Sequence, residues 1–130
     1  MYYFAYADNL NKQQMLQLCP DSRPGFSATL PNYKLAFTGW SRQWHGGLAT
    51  IKAQRGEKVR GAIYEVSDAC LRRLDKREAG YQRLNVTVFD EDSEPHQATA
   101  FIRSGQLEES LPSPEYAALI KKGLKDWRLI

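Results

Sequence analysis

The feature that most constrains this chain is a succession of short β-type runs, each closed by turn residues, filling its middle from Phe26 to Ile102. The clearest is Tyr81 to Phe89, where Leu84, Val86 and Val88 fall on one face, the alternation of a half-buried strand. Phe26 to Leu30 and Tyr33 to Thr38 read as strands around a Pro31-Asn32 turn. Leu48 to Ala53 and Val59 to Val66 read as a hairpin about Arg55-Gly56-Glu57, and Gln97 to Ile102 pairs back across an acidic turn at residues 90–94. Tyr2 to Tyr6 is a further, aromatic strand, whereas residues 39–47, GWSRQWHGG, are loop-like. About six or seven such strands are expected to form a mostly antiparallel curved sheet or small barrel.

Three helical segments complete the pattern. Asp8 or Asn9 caps a short helix from Lys12 to Leu18, ended by Pro20. Ser67 caps a second, running to Glu78 and closed by Gly80. Ser113-Pro114 opens a third, running to Lys122 with Gly123 after it. The fold class is therefore mixed α/β (α+β), with helices packed on the sheet, and residues 1–130 read as a single domain. A 42% hydrophobic share is enough for a core without disulfides or metals.

The net charge of +3 is scattered, with no basic run of the kind nucleic-acid binders display. Arg72-Arg73 and Lys76-Arg77 read as a solvated helix face. No stretch approaches the roughly 20 apolar residues of a membrane span. The opening MYYFAYADNL lacks the basic and apolar regions of a signal peptide, so a cytoplasmic protein is expected. Cys19 and Cys70 form no CxxC, and no Cys/His group has metal-ligand spacing. They read as two reduced thiols, with Cys70 facing the core beside Leu71 and Leu74.

Two places carry candidate chemistry. The first strand runs through YADNL into a helix, whose first backbone N–H groups can hold a carboxylate or an oxyanion, though most such termini bind only water. In the second helix, Leu71, Leu74 and Glu78 are spaced i, i+3, i+7, which puts Glu78 on the apolar stripe. Burial and the negative end of a helix both raise a carboxylate's pKa, as a general acid/base near neutral pH requires. The alternative for Glu78 is an ion pair with Arg72 or Arg83 at a fraying helix end. Asp75, near the same face, ranks below it as a hydrogen-bonding partner.

Five collinear segments resemble the γ-glutamylcyclotransferase family. YFAYADNL is similar to the family's opening YFAYGSNL, and QWHGGLATI to its WHGG segment. GEKVRGAIYEV is similar to the strand that follows, LDKREAGY to the LDxxEG stretch with the catalytic glutamate, and LPSPEYAALIKKGL to the final SPxY helix. The resemblance covers most of the chain. It implies a γ-glutamylcyclotransferase-like fold and cleavage of a γ-glutamyl amide or peptide to 5-oxoproline and a free amine or amino acid. It makes Glu78 the catalytic residue. It places substrate binding at Tyr3, Phe4, Ala5, Tyr6, Ala7 and Asp8, with Tyr116 a further contact and Tyr81 matching a family tyrosine.

Such a reaction calls for no cofactor and no metal, because the glutamyl α-amine is the nucleophile and ring closure is intramolecular. The one partner expected is the small-molecule γ-glutamyl substrate, with no nucleic acid and no membrane. A homodimer stays open, since Trp127-Arg128-Leu129-Ile130 can dock on its own chain or a neighbour. The chain departs from the family where Ala7-Asp8 replaces Gly-Ser. Ala costs about 1 kcal/mol if position 7 needs a positive φ. An ionised Asp8 only accepts hydrogen bonds, so it either binds an ammonium group or caps the helix. His45 reads as structural, Gly46-Gly47 as a close approach or bulge, and Trp40 and Trp44 as either a cleft roof or barrel packing. The competing functions are a non-catalytic small-molecule binding or interaction protein on the same fold and an enzyme acting on a different γ-glutamylated metabolite.

Overall fold

The computed structural model describes residues 1–77, 80–103 and 108–130. Its elements in chain order are β1 (Tyr2–Ala5), a 3-10 turn (Asp8–Leu10), α1 (Lys12–Leu18), β2 (Arg23–Ser41), β3 (Gly46–Glu65), α2 (Asp68–Arg77), β4 (Tyr81–Phe89), β5 (Pro95–Arg103) and α3 (Pro114–Asp126). The strands close into a barrel in the order β1-β3-β2-β4-β5. All pairings are antiparallel except β1 with β5, which meet in parallel at Tyr3 and Thr99. This is the α+β barrel the strand pattern predicts.

The strand count differs from the sequence reading: the described residues hold five strands rather than six or seven. Pro31-Asn32 and Arg55-Gly56-Glu57 are not reversals, and the runs flanking 55–57 do not pair with each other. Both sites are bends at one level of a single long β2–β3 ladder. Pairing runs from Arg23↔Glu65 to Pro31↔Lys58 and resumes at Tyr33↔Ala53. Asn32 has φ 63° and Gly56 φ 87°, and the Gly56 N–H donates to Asn32 Oδ1 at 3.2 Å. Turn-type residues here make a bulge that bends the ladder without ending it. The segment read as loop over residues 39–47 shrinks likewise, because β2 continues to Ser41 and β3 resumes at Gly46.

The alternation of β1 separates two cores. Phe4 points into the barrel with Ile63, Val86 and Val88. Tyr3 and Ala5 point the other way, into a layer with Leu10, Met15, Tyr64, Leu71 and Leu74 that α1 and α2 cover. Cys19, the C-cap of α1, and Cys70 of α2 are fully buried in this layer. They are joined as a disulfide with Cα atoms 5.5 Å apart, which corrects the reading as two thiols. Their separation of 51 residues hid the pairing; the packing of α1 on α2 brings them together.

Helix α3 begins as expected, with the Ser113 hydroxyl accepting from the Tyr116 N–H at 3.2 Å and Pro114 in its first turn. It does not stop before Gly123 but runs on to Asp126. Gly123 serves contact rather than termination. A Cβ there would sit 2.5 Å from Asn11 N and 2.6 Å from Leu10 Cβ, so α3 rests directly on the chain that follows the 3-10 turn. Beyond it, Trp127 docks on its own chain, its Nε1–H donating to the Leu10 carbonyl at 2.9 Å and its ring 5.4 Å from that of Tyr64. Gly123→Ala is expected to cost about 1–3 kcal/mol through overpacking against backbone that cannot rotate away. Denaturant unfolding of the two proteins side by side checks this, and equal midpoints would refute it. No helix among the described residues is long and apolar enough to cross a membrane.

Candidate functional site

The site is built where β1 leaves the barrel. After Ala5 the chain passes through Tyr6 and Ala7 into the 3-10 turn, closed by Leu10 N–H to Ala7 O at 3.1 Å and Asn11 N–H to Asp8 O at 3.0 Å. Ala7 has φ −133°, so the backbone does not need glycine here and the Cβ carries no left-handed strain. The cap of α1 is Asn11, whose Oδ1 accepts from the Gln14 N–H at 2.9 Å. Neither Asp8 nor Asn9 caps it. The intervening 3-10 turn puts the cap at Asn11, three residues beyond Asp8 and two beyond Asn9.

Asp8 is held instead by side chains. Its Oδ2 accepts from Gln14 Nε2 at 2.9 Å and from an Arg77 guanidinium nitrogen at 3.1 Å. The carboxylate is almost buried and the guanidinium about a quarter exposed, so its charge is compensated at the mouth of the site. Arg77 is the functional neighbour the sequence reading missed. It reads as part of a solvated basic face, and nothing local marks it as the residue that crosses to Asp8. Asp8→Ser is expected to destabilise the fold by about 1–2 kcal/mol, between the values for exposed and buried pairs. A double-mutant cycle with Arg77→Met measures the coupling, and additivity of the two changes would remove the ion pair from the account.

Four tyrosines meet at this loop. Tyr3, Tyr6, Tyr81 and Tyr116 line an inner chamber of about 20 Å³ together with Ala7 and Asp8. Its wall is completed by Asn9, Ala49 and Phe101. An outer chamber of about 80 Å³ adjoins it, sharing Asp8, Tyr81 and Tyr116 and adding Arg77, Trp44 and Leu48, with Ser41 and Gln43 at its rim. The tyrosines are fixed by the barrel wall. Tyr6 donates to the Phe101 carbonyl at 2.5 Å, and the Tyr3 hydroxyl accepts from Asn9 Nδ2 at 3.0 Å. Ala49 is gripped from both sides. Its carbonyl accepts from the Tyr81 hydroxyl at 2.5 Å, and its N–H donates to the Tyr116 hydroxyl oxygen at 3.1 Å. The guanidinium of Arg103 stands 5.7 Å from the Tyr81 ring, a cation–π contact on the side of β5.

Of the residues expected to bind substrate, Tyr3, Tyr6, Ala7, Asp8, Tyr81 and Tyr116 therefore come together. Phe4 and Ala5 do not join them by their side chains, which the alternation of β1 sends into the two cores. Glu78, expected as the catalytic residue, lies outside the described residues. Asp75 is exposed and makes a two-point ion pair with Arg83, at 2.9 and 2.7 Å. That guanidinium holds the Asp75 carboxyl below the usual range, away from acid/base work. His45 is an exposed turn residue with φ 57°, directly before the first residue of β3. Gly47 is a close approach, since a Cβ would strike the Ser110 carbonyl. Trp44 packs on Tyr116 with ring centres 5.3 Å apart, while Trp40 is 64% exposed and takes no part in either chamber.

Comparison with known proteins sets this geometry among relatives. The family model described as gamma-glutamyl cyclotransferase, AIG2-like, matches residues 3–128. The human protein named gamma-glutamylcyclotransferase is 29% identical over 132 aligned residues, covering 95% of this chain and 70% of its own. The protein of that name from Bos taurus is 30% identical over the same shares. A solved structure described as a gamma-glutamyl cyclotransferase superposes with a TM-score of 0.91 at 28% identity, covering 97% of this chain and 79% of its own.

Proposed function

We propose, from the premise that this chain belongs to the gamma-glutamyl cyclotransferase, AIG2-like family, that it cleaves γ-glutamyl amides or peptides by internal attack. The α-amine of the glutamyl group adds to its own γ-carbonyl, the C–N bond to the leaving amine breaks, and 5-oxoproline is released. The observation that carries this reading is the convergence of the Tyr6–Asn9 loop with Tyr81 and Tyr116 on one chamber. Holding the substrate in its folded, ring-closing conformer is the largest task in such a reaction, because the attack is unimolecular once the chain is bent.

Glu78 is assigned the proton transfers: it takes the proton lost by the amine and returns it to the departing nitrogen. The assignment rests on its match to the family motif in LDKREAGY and on its place directly after Arg77, which reaches Asp8. Main-chain N–H groups of residues 5–9 are assigned to the α-carboxylate or the developing oxyanion, a role for Ala5 that needs only its backbone. With its carboxylate satisfied by Arg77 and Gln14, Asp8 does not present a bare negative charge to the substrate. The family's serine position is thus filled by a neutralised pair.

The reading calls on no cofactor or metal and on no partner but the substrate; a cytoplasmic setting belongs to the same proposal. Incubation with a panel of γ-glutamyl dipeptides and γ-glutamyl amines, without added cofactor, tests it. Release of 5-oxoproline with the free amine in equal amounts is expected. Absence of 5-oxoproline across the whole panel would instead support a binding protein on this fold.

A further inference from the structure

The outer chamber is not used by the steps above. It shares Asp8, Tyr81 and Tyr116 with the inner one, so the far end of a substrate seated at the inner chamber would reach it. We propose that this outer chamber is the leaving-group subsite and that Trp44 is its specificity-determining residue, selecting leaving amines or amino acids with an apolar side chain. The proposal rests on the cyclotransferase reading for the identity of the inner occupant.

Three observations carry it. The first is placement. Trp44 sits in the short turn between β2 and β3, and its main-chain N–H donates to Ser41 Oγ at 3.1 Å. The His45 N–H donates to Ser41 O at 2.8 Å, and His45 takes a positive φ that turns the chain. The chain before α3 clamps the hairpin, with Gly39 N–H on Glu108 O at 3.0 Å and Gly47 N–H on Leu111 O at 2.9 Å. The indole is therefore carried on a braced turn and not on a free loop.

The second is surface character. The Trp44 ring lies at 44° to that of Tyr116, and Trp44 and Leu48 are the apolar contacts in an otherwise mostly polar lining. Ser41 and Gln43 add uncharged polar groups at the rim. The third is charge. Asp8 and Arg77, the charged pair lining this chamber among the described residues, are bonded to each other. Because these two charges compensate each other, they give little selection between leaving groups by net charge. Apolar contact then discriminates, and it distinguishes side chains differing by a few methylenes about 10-fold or more.

The test compares γ-glutamyl-leucine with γ-glutamyl-glycine, following 5-oxoproline. Trp44→Ala is expected to lower kcat/KM for γ-glutamyl-leucine roughly 10-fold more than it lowers that for γ-glutamyl-glycine, with Trp44→Phe recovering most of the difference. Equal losses on both substrates would overturn the subsite. The second measurement does not need turnover: titration of the wild-type protein with γ-glutamyl-leucine, watching the Trp44 indole N–H resonance. A shift of that resonance in a protein that forms no 5-oxoproline would keep the subsite and overturn the reaction. No shift would overturn the subsite whatever the protein catalyses.

Discussion

Glu78→Gln is expected to reduce 5-oxoproline release by about 10²–10⁴-fold, the range of a positioned general acid/base, with little change in KM. Glutamine keeps the shape and hydrogen-bonding reach of the side chain but can neither take the proton of the attacking amine nor return one to the leaving nitrogen. The loss therefore falls on the chemical step. On the proposed reading the substrate is still held by the Tyr6–Asn9 loop and by the tyrosines anchored to Ala49, Phe101 and Asn9. Unfolding midpoints should be unchanged, since glutamine matches glutamate in size and shape, and single-turnover measurements should show normal binding followed by a slow step. Turnover within a factor of a few of wild type would take Glu78 out of the mechanism and leave ring closure to conformer selection alone. Glu78→Asp makes a useful companion: it keeps the carboxyl but withdraws it by one methylene, so an intermediate rate is expected where position matters as well as charge.

What the sequence makes legible, and what it hides, follows the range of the interactions involved. Local patterns survive: the alternation of Tyr81–Phe89, the Ser113-Pro114 helix start and the Ser67 cap, where the hydroxyl accepts from the Cys70 N–H at 3.1 Å, are all present. Turn residues are legible as interruptions but not as reversals. Asn32 and Gly56 face each other across a ladder, and only the partner strand decides whether a positive φ ends a strand or bends it. The site divides the same way. The loop following β1 is local and was legible from YFAYADNL, whereas the Asp8–Arg77 pair spans 69 residues and the clasp of Ala49 by Tyr81 and Tyr116 joins three separate elements. Such pairs are decided by barrel closure, which no window of the chain contains. Phe4 and Ala5 show the converse limit: a motif marks a segment, but a strand's two-residue period sends alternate side chains to opposite cores.

Reduction of the Cys19–Cys70 bond is expected to lower the free energy of unfolding by about 2–4 kcal/mol, near the top of that range because the bridge spans a long loop of 51 residues. Both sulfurs are fully buried among Leu10, Met15, Leu71 and Leu74, so the bond should resist reductant in the native state and yield only when the protein is partly unfolded. Thiol titration in denaturant gives the first check: no free thiol is expected before reduction and two afterwards. The second is the urea midpoint with and without reductant, repeated on Cys19→Ala/Cys70→Ala. The double variant should match the reduced protein to within the small cost of the lost sulfur packing. Activity is the discriminating readout. The bridge ties α1, whose Gln14 holds Asp8, to α2, whose Arg77 holds the same carboxylate, so it braces the site from behind without touching the chambers. The reduced enzyme is then expected to keep its kcat at 25 °C and lose activity at a lower temperature than the oxidised form. Two titratable thiols in the unreduced protein, or identical midpoints in both redox states, would show that the pair contributes packing alone, and that Leu71 and Leu74 suffice to hold α2 against the barrel.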